Sequence, residues 1–436
     1  MKYKRSLEWY DQAKAMIPSA TQTFSKGPTQ YPFGVSPIYL ERGQGSHVWD
    51  VDGNEFIDYP MALGAVLLGH AYPAVTTAIV EQAQKGLSFT LNSTLEVEVA
   101  ELLTKMIPCA EMVRFGKNGS DATAGAVRAA RAYTGREKIV CCGYHGWQDW
   151  YISTTTRDQG VPRFNREFVL PFAYNDLESL KRLFVEHRGE IAAVIMEPVV
   201  LEEPLPGYLS QVKEIASANG ALLIFDEIVT GFRIHTGGAQ AYYGVIPDLA
   251  CVGKGLANGM PLSAVVGRKE VMEVFDEIFF SFTFGGEMLS LAAARATLQE
   301  LTQAPVIGTM WRLGTTLRDG YNEIARRLKL ESVTRCKGLA PRTAITFEAI
   351  PEADPLMLRT LFQQEAIARG ILAIGVHNLC YRHSEQDIDR TLHAYEETLG
   401  IMKQGIDSND IASRITGKLV EPVFRPLKFD GALARA

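Results

Sequence analysis

Short apolar runs alternate with longer amphipathic stretches between residues 56 and 303, and this alternation limits the folds open to the chain. Helical periodicity covers residues 94–106 and 121–133. The apolar runs have the length of buried strands, and they cover residues 112–115, 138–141, 192–196, 221–225 and 249–252. Strands separated by helices favour right-handed crossovers and a mainly parallel sheet covered on both faces. We therefore predict an α/β fold whose chemistry lies at the carboxyl ends of the strands.

The 436 residues are enough for one large core and a second, smaller domain. The patterns predict four segments: an N-terminal segment of the smaller domain (1–55), a large domain (56–304), the C-terminal part of a smaller α+β domain (305–404) and an extended tail (405–436). The N-terminal segment begins with a predicted helix over residues 6–17. The tail is rich in proline turns and has little periodicity.

The composition argues against several classes of protein. A formal net charge of −6 and the lack of a basic cluster are not those of a nucleic-acid-binding protein. No apolar run approaches the roughly 20 residues of a membrane span, and the charged N-terminus lacks the apolar core of a signal peptide. We therefore expect a cytoplasmic protein. The six cysteines include no Cys-x-x-Cys pair, and we assign them neither a metal nor a redox role.

The stretch FGKNGSDATAG, residues 115–125, joins a strand end to a glycine turn and the start of a helix. Free backbone amides and a hydroxyl at a helix start can bind phosphate, and we predict Ser120 as the N-cap. A plain capped helix fits the same stretch. The stretch is not a Walker A loop, because Asn118 follows Lys117 where Ser or Thr is required.

A second strand end, in the stretch CCGYHGW, supplies three aromatic side chains beside a glycine. They are Tyr144, His145 and Trp147, with Gly146 among them. An aromatic ring next to a glycine can lie flat on a planar ligand. An aromatic cluster in the core is the alternative for this stretch taken alone.

Two charged residues stand at the ends of two further buried runs. Asp226 follows the run 221–225, where a carboxylate needs a cationic partner, and the adjacent Glu227 fits a surface or capping acid. Lys254 stands between two glycines directly after the run 249–252. A lysine there is costly unless its charge is paired or its amine reacts, and an ordinary surface lysine is the alternative.

Together these residues fit one ligand that is planar, phosphorylated and aldehydic, with a nitrogen in its ring. Pyridoxal phosphate has those parts. Lys254 would form the imine with it, and Asp226 would hold the pyridinium proton. Tyr144 would stack on the ring, and residues 118–120 would bind the phosphate.

The sequence also resembles a known family over residues 18–403. The motifs that carry the resemblance include VWDVDGNEFIDY, LGHAYP, GYHGW, LLIFDEIVTGFR, GKGLANGMPLSAVVG and FTFGGE. They are similar to motifs of the class III, fold type I pyridoxal-phosphate aminotransferases, and within that family to the glutamate-1-semialdehyde 2,1-aminomutase branch. The resemblance implies a large domain with a mainly parallel sheet flanked by helices, a smaller α+β domain formed by both ends of the chain, and a homodimer with shared active sites.

The resemblance also implies a role for each matching residue. Lys254 matches the Schiff-base lysine of the internal aldimine, and Asp226 matches the acid on the pyridine nitrogen. Thr283 matches a threonine that reaches the phosphate of the neighbouring subunit. The other implied contacts to the cofactor are Asn118, Gly119, Ser120, Tyr144, His145, Glu202 and Ile228.

The departures from the family lie on the substrate side. Residues 23–26 contain no arginine, although the aminomutases hold the substrate carboxylate with one there. Leu63 replaces a tryptophan, Gly375 replaces an acid, and residues 285–287 read GGE in place of Gly-Asn-Pro. Four residues are candidate substrate contacts by position alone: Lys26, Trp147, Glu287 and His377.

We therefore predict an enzyme that moves an amino group from an amine donor to a keto or aldehyde acceptor, keto-sugars among the candidates, by a ping-pong mechanism. One alternative is a glutamate-1-semialdehyde 2,1-aminomutase. A second is a dinucleotide-dependent oxidoreductase, which Gly253-x-Gly255 suggests and Asn258, in place of the third glycine, opposes. A third is a non-catalytic protein that binds the cofactor, which the intact Lys254 opposes.

Overall fold

The computed structural model of the protein describes residues 2–422. Its strands are β1 (Leu40–Gln44), β2 (His47–Asp50), β3 (Glu55–Asp58), β4 (Met112–Gly116), β5 (Lys138–Cys142), β6 (Val169–Pro171), β7 (Ile191–Met196), β8 (Leu222–Asp226), β9 (Leu249–Val252), β10 (Ser263–Gly267), β11 (Thr334–Lys337), β12 (Arg342–Phe347), β13 (Ile371–Leu372) and β14 (Val376–Asn378). Its α-helices are α1 (Lys4–Lys14), α2 (Met61–Gly64), α3 (Pro73–Ala83), α4 (Thr94–Met106), α5 (Gly119–Thr134), α6 (Asp149–Ile152), α7 (Leu177–Glu186), α8 (Tyr208–Ala218), α9 (Gly238–Tyr243), α10 (Lys269–Met272), α11 (Met288–Gln303), α12 (Val306–Arg327), α13 (Pro355–Ala368), α14 (Glu385–Asp407) and α15 (Ile411–Arg414). Within residues 2–422, no helix has the length and apolar character needed to cross a membrane.

The chain divides into two compact units, a large unit of residues 73–307 and a small unit formed by the segments on either side of it. The large unit is built on a seven-stranded sheet with the order β4-β10-β9-β8-β7-β5-β6. Neighbouring strands from β6 to β9 pair in parallel, whereas β10 is antiparallel to both β9 and β4. Every residue of β7, β8, β9 and β10 is buried, as expected for a sheet covered on both faces. The predicted α/β fold is confirmed.

All five predicted strands are present in this sheet, and none of their ends moves by more than one residue. The prediction omits β6 and β10. The first of these has only three residues and ends in a proline, and the apolar part of the second is only three residues long, Ala264 to Val266. Neither run is long enough for periodicity to distinguish it from a loop.

Small residues let helix α5 approach the sheet closely. Its buried face includes Ala122, Ala126, Ala129 and Ala130. A Cβ atom added to Gly125 would lie 2.6 Å from the Phe280 ring, so a larger residue there would displace that ring. The helix ends at Gly135, whose φ of 68° is the left-handed conformation that glycine adopts without strain.

The small unit contains two sheets, with the orders β1-β2-β3-β13 and β11-β12-β14. β3 pairs antiparallel with β2 and parallel with β13, which places residues 55–58 in this unit, and the chain stays in the unit as far as residue 72. The first boundary therefore follows residue 72, whereas the sequence indicates residue 55. The second boundary follows residue 307, close to the predicted residue 304.

Residues 405–422, predicted as part of an extended tail, are folded onto the small unit. α14 continues to Asp407 and α15 follows it. The side-chain oxygen of Gln364 accepts hydrogen bonds from the amides of Thr416 (2.8 Å) and Gly417 (3.2 Å). These bonds fix the path of the chain after α15. Residues 423–436 of the predicted tail lie outside the described residues.

Candidate active site

Loops that follow four strands of the large unit meet at one edge of its sheet. Strands β4, β5, β8 and β9 run in the same direction, so their carboxyl ends lie at the same edge. Ile228 marks the point of convergence. A Cβ atom on Gly119 would lie 3.1 Å from Ile228 Cγ2, and one on Gly253 would lie 3.0 Å from Ile228 Cδ1. The helix start at Gly119 and the residue before Lys254 therefore both lie against the Ile228 side chain.

The start of α5 presents backbone amides to this edge. Asp121 accepts hydrogen bonds from the amides of Lys117 (3.1 Å) and Asn118 (2.7 Å). Asn118 has extended backbone angles and is the N-cap, so the prediction of Ser120 as N-cap is wrong. Gly119 and Ser120 fall in the first turn, where the helix itself offers no acceptor for an amide. Their N–H groups, at the positive end of the helix dipole, suit a phosphate.

Two glycines shape the loop that carries Tyr144 and His145. Gly143 and Gly146 have φ values of 108° and 107°, which L side chains rarely adopt. A Cβ on Gly146 would lie 2.2 Å from Ser120 Oγ, so only glycine allows this loop to approach α5 so closely. The exposed fraction of Tyr144 is 49%, which leaves its ring accessible at the sheet edge.

Asp226 meets a histidine at the end of β8. Its Oδ2 lies 2.8 Å from His145 Nδ1, and both side chains are buried. Its Oδ1 accepts the amide of Ile228 at 3.1 Å. Each carboxylate oxygen has a further lone pair, so the group can accept another donor such as a protonated ring nitrogen. His145 is itself positioned by Thr123, whose hydroxyl donates to the His145 carbonyl at 2.7 Å.

Glu227 is not the surface acid that the sequence allows. It is fully buried, and its carboxylate accepts the amides of Ala239 (2.6 Å) and Gln240 (3.0 Å) at the start of α9. The Thr230 hydroxyl donates to it as well, at 2.7 Å. Burial raises the pKa of Glu227, although these hydrogen bonds act in the opposite direction. The two adjacent acids therefore have separate tasks, since Glu227 caps a helix.

Lys254 begins a short 3₁₀ turn directly after β9, and its backbone has a φ of 43°. This left-handed conformation costs about 1–3 kcal/mol for a residue other than glycine, and such strain is concentrated at functional sites. The side chain is half-buried. The residues at this edge therefore fit pyridoxal phosphate: amides for its phosphate, a carboxylate with free lone pairs for its ring nitrogen, an accessible aromatic ring and an amine.

Comparison with known proteins decides the family. Residues 31–388 match the family described as aminotransferase class-III. The chain belongs to that family.

Two curated relatives and one solved structure illustrate the range of this family. The 3-aminobutyryl-CoA aminotransferase of Cloacimonas acidaminovorans is 34% identical, over 93% of this chain and 99% of the relative. Glutamate-1-semialdehyde 2,1-aminomutase 2 of an Exiguobacterium species is 35% identical, over 90% of this chain and 96% of the relative. A structure of the FumI protein of Sphingopyxis sp. MTA144 with PLP has a TM-score of 0.87 and 29% identity, covering 93% of this chain and 98% of FumI. The chain is a class III aminotransferase that uses pyridoxal phosphate, and the oxidoreductase alternative is wrong.

Three residues that the sequence assigns to the site of this aminotransferase lie in exposed segments. Glu202 is in the loop between β7 and α8, and Thr283 is in the loop between α10 and α11. Lys26 belongs to the small unit, in the 3₁₀ turn Phe24–Lys26. Their roles stay predictions.

Glu287, a candidate substrate contact, has partners within the large unit. Its carboxylate caps α11 by accepting the amides of Leu289 (2.7 Å) and Ser290 (3.2 Å), and it lies 3.0 Å from Lys117 Nζ. Burial opposes ionisation of Glu287, but the hydrogen bonds from Ser290, Lys117 and Leu289 leave its pKa below the usual value. These partners favour a structural role. The ion pair connects the start of α11 to the loop before α5.

His377, another candidate substrate contact, is fully buried in the small unit. Its Nδ1 lies 2.9 Å from Thr343 Oγ1, and its Nε2 lies 2.8 Å from the Tyr395 hydroxyl. Burial lowers the pKa of His377 to about 3, so the ring is neutral at physiological pH. Both ring nitrogens are used within the core, which favours a structural role.

Sequence reasoning missed several residues that hold the site together. Glu197 accepts the Tyr144 amide at 2.8 Å, and the Ser263 hydroxyl donates to the Asn118 carbonyl at 2.7 Å. The ring of Trp150 stacks on that of His145, with centroids 6.2 Å apart and planes 12° apart. Ser263 lies in the motif GKGLANGMPLSAVVG and the other two residues lie outside the quoted motifs, so only the fold brings all three to the site.

Proposed function

We propose that this aminotransferase acts between two separate molecules: an amine donor leaves its amino group on the enzyme and departs before a carbonyl acceptor collects it. The observation that carries the proposal is the set of cofactor-side groups at one sheet edge, in particular Asp226, Lys254 and the amides at the start of α5. The substrate side adds support, since residues 23–26 contain no arginine to retain a carboxylate.

Pyridoxal phosphate, when bound, supplies an aldehyde for the amino group and a ring that accepts electrons. In this proposal the first-turn amides of Gly119 and Ser120 bind its phosphate. Asp226 holds a proton at the ring nitrogen, and His145, hydrogen-bonded to Asp226 at 2.8 Å, fixes the orientation of that carboxylate.

Lys254 acts as the proton carrier. In the first half of the cycle its amine would take the proton from the substrate carbon that bears the amino group and deliver it on the cofactor side within the same half-reaction, and in the second half it would carry a proton in the reverse direction. Tyr144 and Ile228 would contact the ring and exclude water from it. The order of events is ping-pong, because the first product departs before the second substrate binds.

We further propose compounds with an amine at carbon 3 as the donor class. The similar 3-aminobutyryl-CoA aminotransferase is named for such an amine on an acyl thioester. A thioester has no free carboxylate, so it needs no arginine at residues 23–26. Keto-sugars remain candidate acceptors on the sequence alone.

The test is a half-reaction. We expect the purified, cofactor-loaded protein to react with a 3-amino donor in the absence of any acceptor, because the first product is free to leave. It should release about one equivalent of carbonyl product per active site and lose the visible absorbance of the aldehyde form. A spectrophotometric titration combined with assay of the carbonyl product measures both effects. The control is an analogue of the donor that lacks the amine.

The second candidate function is the aminomutase, which the similarity to glutamate-1-semialdehyde 2,1-aminomutase 2 supports. A mutase must keep its intermediate bound through two half-reactions. We expect glutamate-1-semialdehyde to be a poor substrate here. Efficient conversion to 5-aminolevulinate with no second substrate would overturn the proposal of a transferase and make Lys26 the candidate carboxylate contact.

We also propose a homodimer in which Thr283 reaches the partner's cofactor phosphate. The loop around Thr283 carries three exposed phenylalanines, Phe279, Phe282 and Phe284, an apolar group that would favour burial in an interface. We expect Thr283→Ala to weaken cofactor retention, as measured by dialysis and absorbance. Full activity of a protein that sedimentation velocity shows to be monomeric would contradict this arrangement.

A cytoplasmic location is proposed as well. All six cysteines are free and buried in the described structure, which suits a reducing compartment. Cell fractionation tests the proposal, and recovery outside the cytoplasm would contradict it.

A further inference from the structure

An open groove of about 600 Å³ lies along the outer side of α5 in the large unit. One wall is formed by α5 and includes Arg128 and Arg131, and the other is the segment from Trp147 to Trp150. Its volume is within the range of small-molecule sites, roughly 300–1,000 Å³. Two of its lining residues have roles above, since Trp147 is a candidate substrate contact and Trp150 stacks on His145. The arginines of the groove have no role in the proposed aminotransfer.

The α5 wall carries two arginines that, in the described part of the chain, donate hydrogen bonds to backbone carbonyls. Arg128 and Arg131 are three positions apart and therefore project on the same side of the helix. Arg128 donates to the Phe279 carbonyl, and Arg131 Nε donates to the Glu137 carbonyl at 2.7 Å. In the part of the chain that the structure describes, neither guanidinium forms an ion pair with a carboxylate within 4.0 Å. Since a guanidinium has five N–H donors, most of them remain for an anion.

Arg131 is partly buried, which makes a positive charge without a counter-ion more costly there. Burial lowers the pKa of Arg131, and the nearby positive charge of Arg128 acts in the same direction against the opposing effect of Glu137. Two like charges on one helix face repel each other, and a multivalent anion would relieve that repulsion. Asp149 lies on the opposite wall, so an anion would be favoured on the α5 side.

The opposite wall supplies aromatic surface. The exposed fraction of Trp147 is 67%, which is high for the largest aromatic side chain. A planar ring can stack on such a surface, with a contribution of about 1–3 kcal/mol for a nucleobase. The amide of Trp147 donates to Ser120 Oγ at 3.2 Å, which anchors this wall to the first turn of α5.

We propose that the groove binds the phosphorylated, ring-bearing end of a nucleotide-like ligand, with its phosphates on Arg128 and Arg131 and its base on Trp147. The ligand is either a free nucleotide or the nucleotide end of a coenzyme A thioester. Ser120 and Arg131 are separated along α5 by about 16 Å at 1.5 Å per residue, so a single ligand that reaches both must be long. A coenzyme A thioester has that form, and this second source rests on the proposed function.

The test is tryptophan fluorescence of the cofactor-loaded full-length protein, titrated with adenosine 3′,5′-bisphosphate and, separately, with coenzyme A. We expect both ligands to quench the fluorescence. The double variant Arg128→Gln/Arg131→Gln should bind both at least roughly tenfold more weakly, because it loses charge-assisted hydrogen bonds. Arg131→Lys, which keeps the charge, should lose less. Trp147→Phe should lose most of the quenching, whereas Trp9→Phe, which removes an exposed tryptophan of the small unit, should retain it.

The relative affinities for coenzyme A and for the bisphosphate distinguish the two possible ligands. Tighter binding of coenzyme A than of the bisphosphate indicates a thioester that extends towards Ser120, and equal binding indicates a free nucleotide. The absence of quenching by either ligand at millimolar concentration, or quenching unchanged in the double arginine variant, would overturn the proposal. Binding is measured without turnover, so failure of the proposed aminotransfer from a 3-amino donor would leave this result unaffected.

Discussion

Replacing Lys254 by alanine is expected to remove the visible absorbance of the lysine-linked cofactor and to lower kcat by about 10²- to 10⁴-fold, the usual contribution of a positioned general acid–base group. The lysine follows the buried strand β9 with a strained φ of 43°, a position for which packing alone does not require an amine. Absorbance spectra and steady-state rates of the purified variant measure both effects. Far-UV circular dichroism shows whether it stays folded.

Lys117 provides the matched control for this prediction. It precedes the start of α5, and its Nζ lies 3.0 Å from a carboxylate oxygen of Glu287. An amine engaged by a carboxylate is a poor nucleophile. We therefore expect Lys117→Ala to keep the visible band. A band that persists in Lys254→Ala and disappears in Lys117→Ala would show that the wrong lysine has been assigned.

The placement of Asp226 and Lys254 at one edge of the sheet could be predicted because each follows a buried apolar run. The run before Asp226 and the run before Lys254 each form a strand whose end moves by at most one residue. Since parallel strands align their carboxyl ends, the order of runs in the sequence was sufficient to bring these side chains to one edge. At this edge of the sheet the local sequence pattern and the strand topology agree, so the proximity of Asp226 and Lys254 could be predicted without knowledge of interatomic distances.

Contacts between distant segments could not be predicted in this way. The bond between His145 and Asp226 joins residues 81 positions apart, and no local pattern specifies it. The boundary at residue 72 depends on the pairing of β3 with β13, a strand of only two residues. The residue type of Ser120 predicts an N-cap there, but the carboxylate of Asp121 accepts the Asn118 amide and fixes the helix start two residues earlier, with Asn118 as the N-cap.

The Asp226→Asn variant is expected to fold normally and to lose about 10²- to 10³-fold in kcat, which corresponds to roughly 3–4 kcal/mol of electrostatic stabilisation in the reaction barrier. The amide keeps the shape of the side chain and an acceptor for His145, but it carries no charge. Without that charge, the protonated form of the ring nitrogen is no longer favoured. Steady-state kinetics and the pH dependence of the visible spectrum measure the loss.

Glu227→Gln separates this electrostatic effect from a general effect of changing a buried acid. Glu227 is adjacent to Asp226 and fully buried, yet its oxygens bond the start of α9. Because Gln keeps only one acceptor oxygen, we expect this variant to have a lower Tm with kcat and spectrum close to those of the unchanged protein. If both variants lose kcat equally, the loss comes from packing. If Asp226→Asn retains near-normal kcat, the ring nitrogen has another partner. His145, whose buried Nε2 has no hydrogen-bond partner among residues 2–422, is then the residue to replace next.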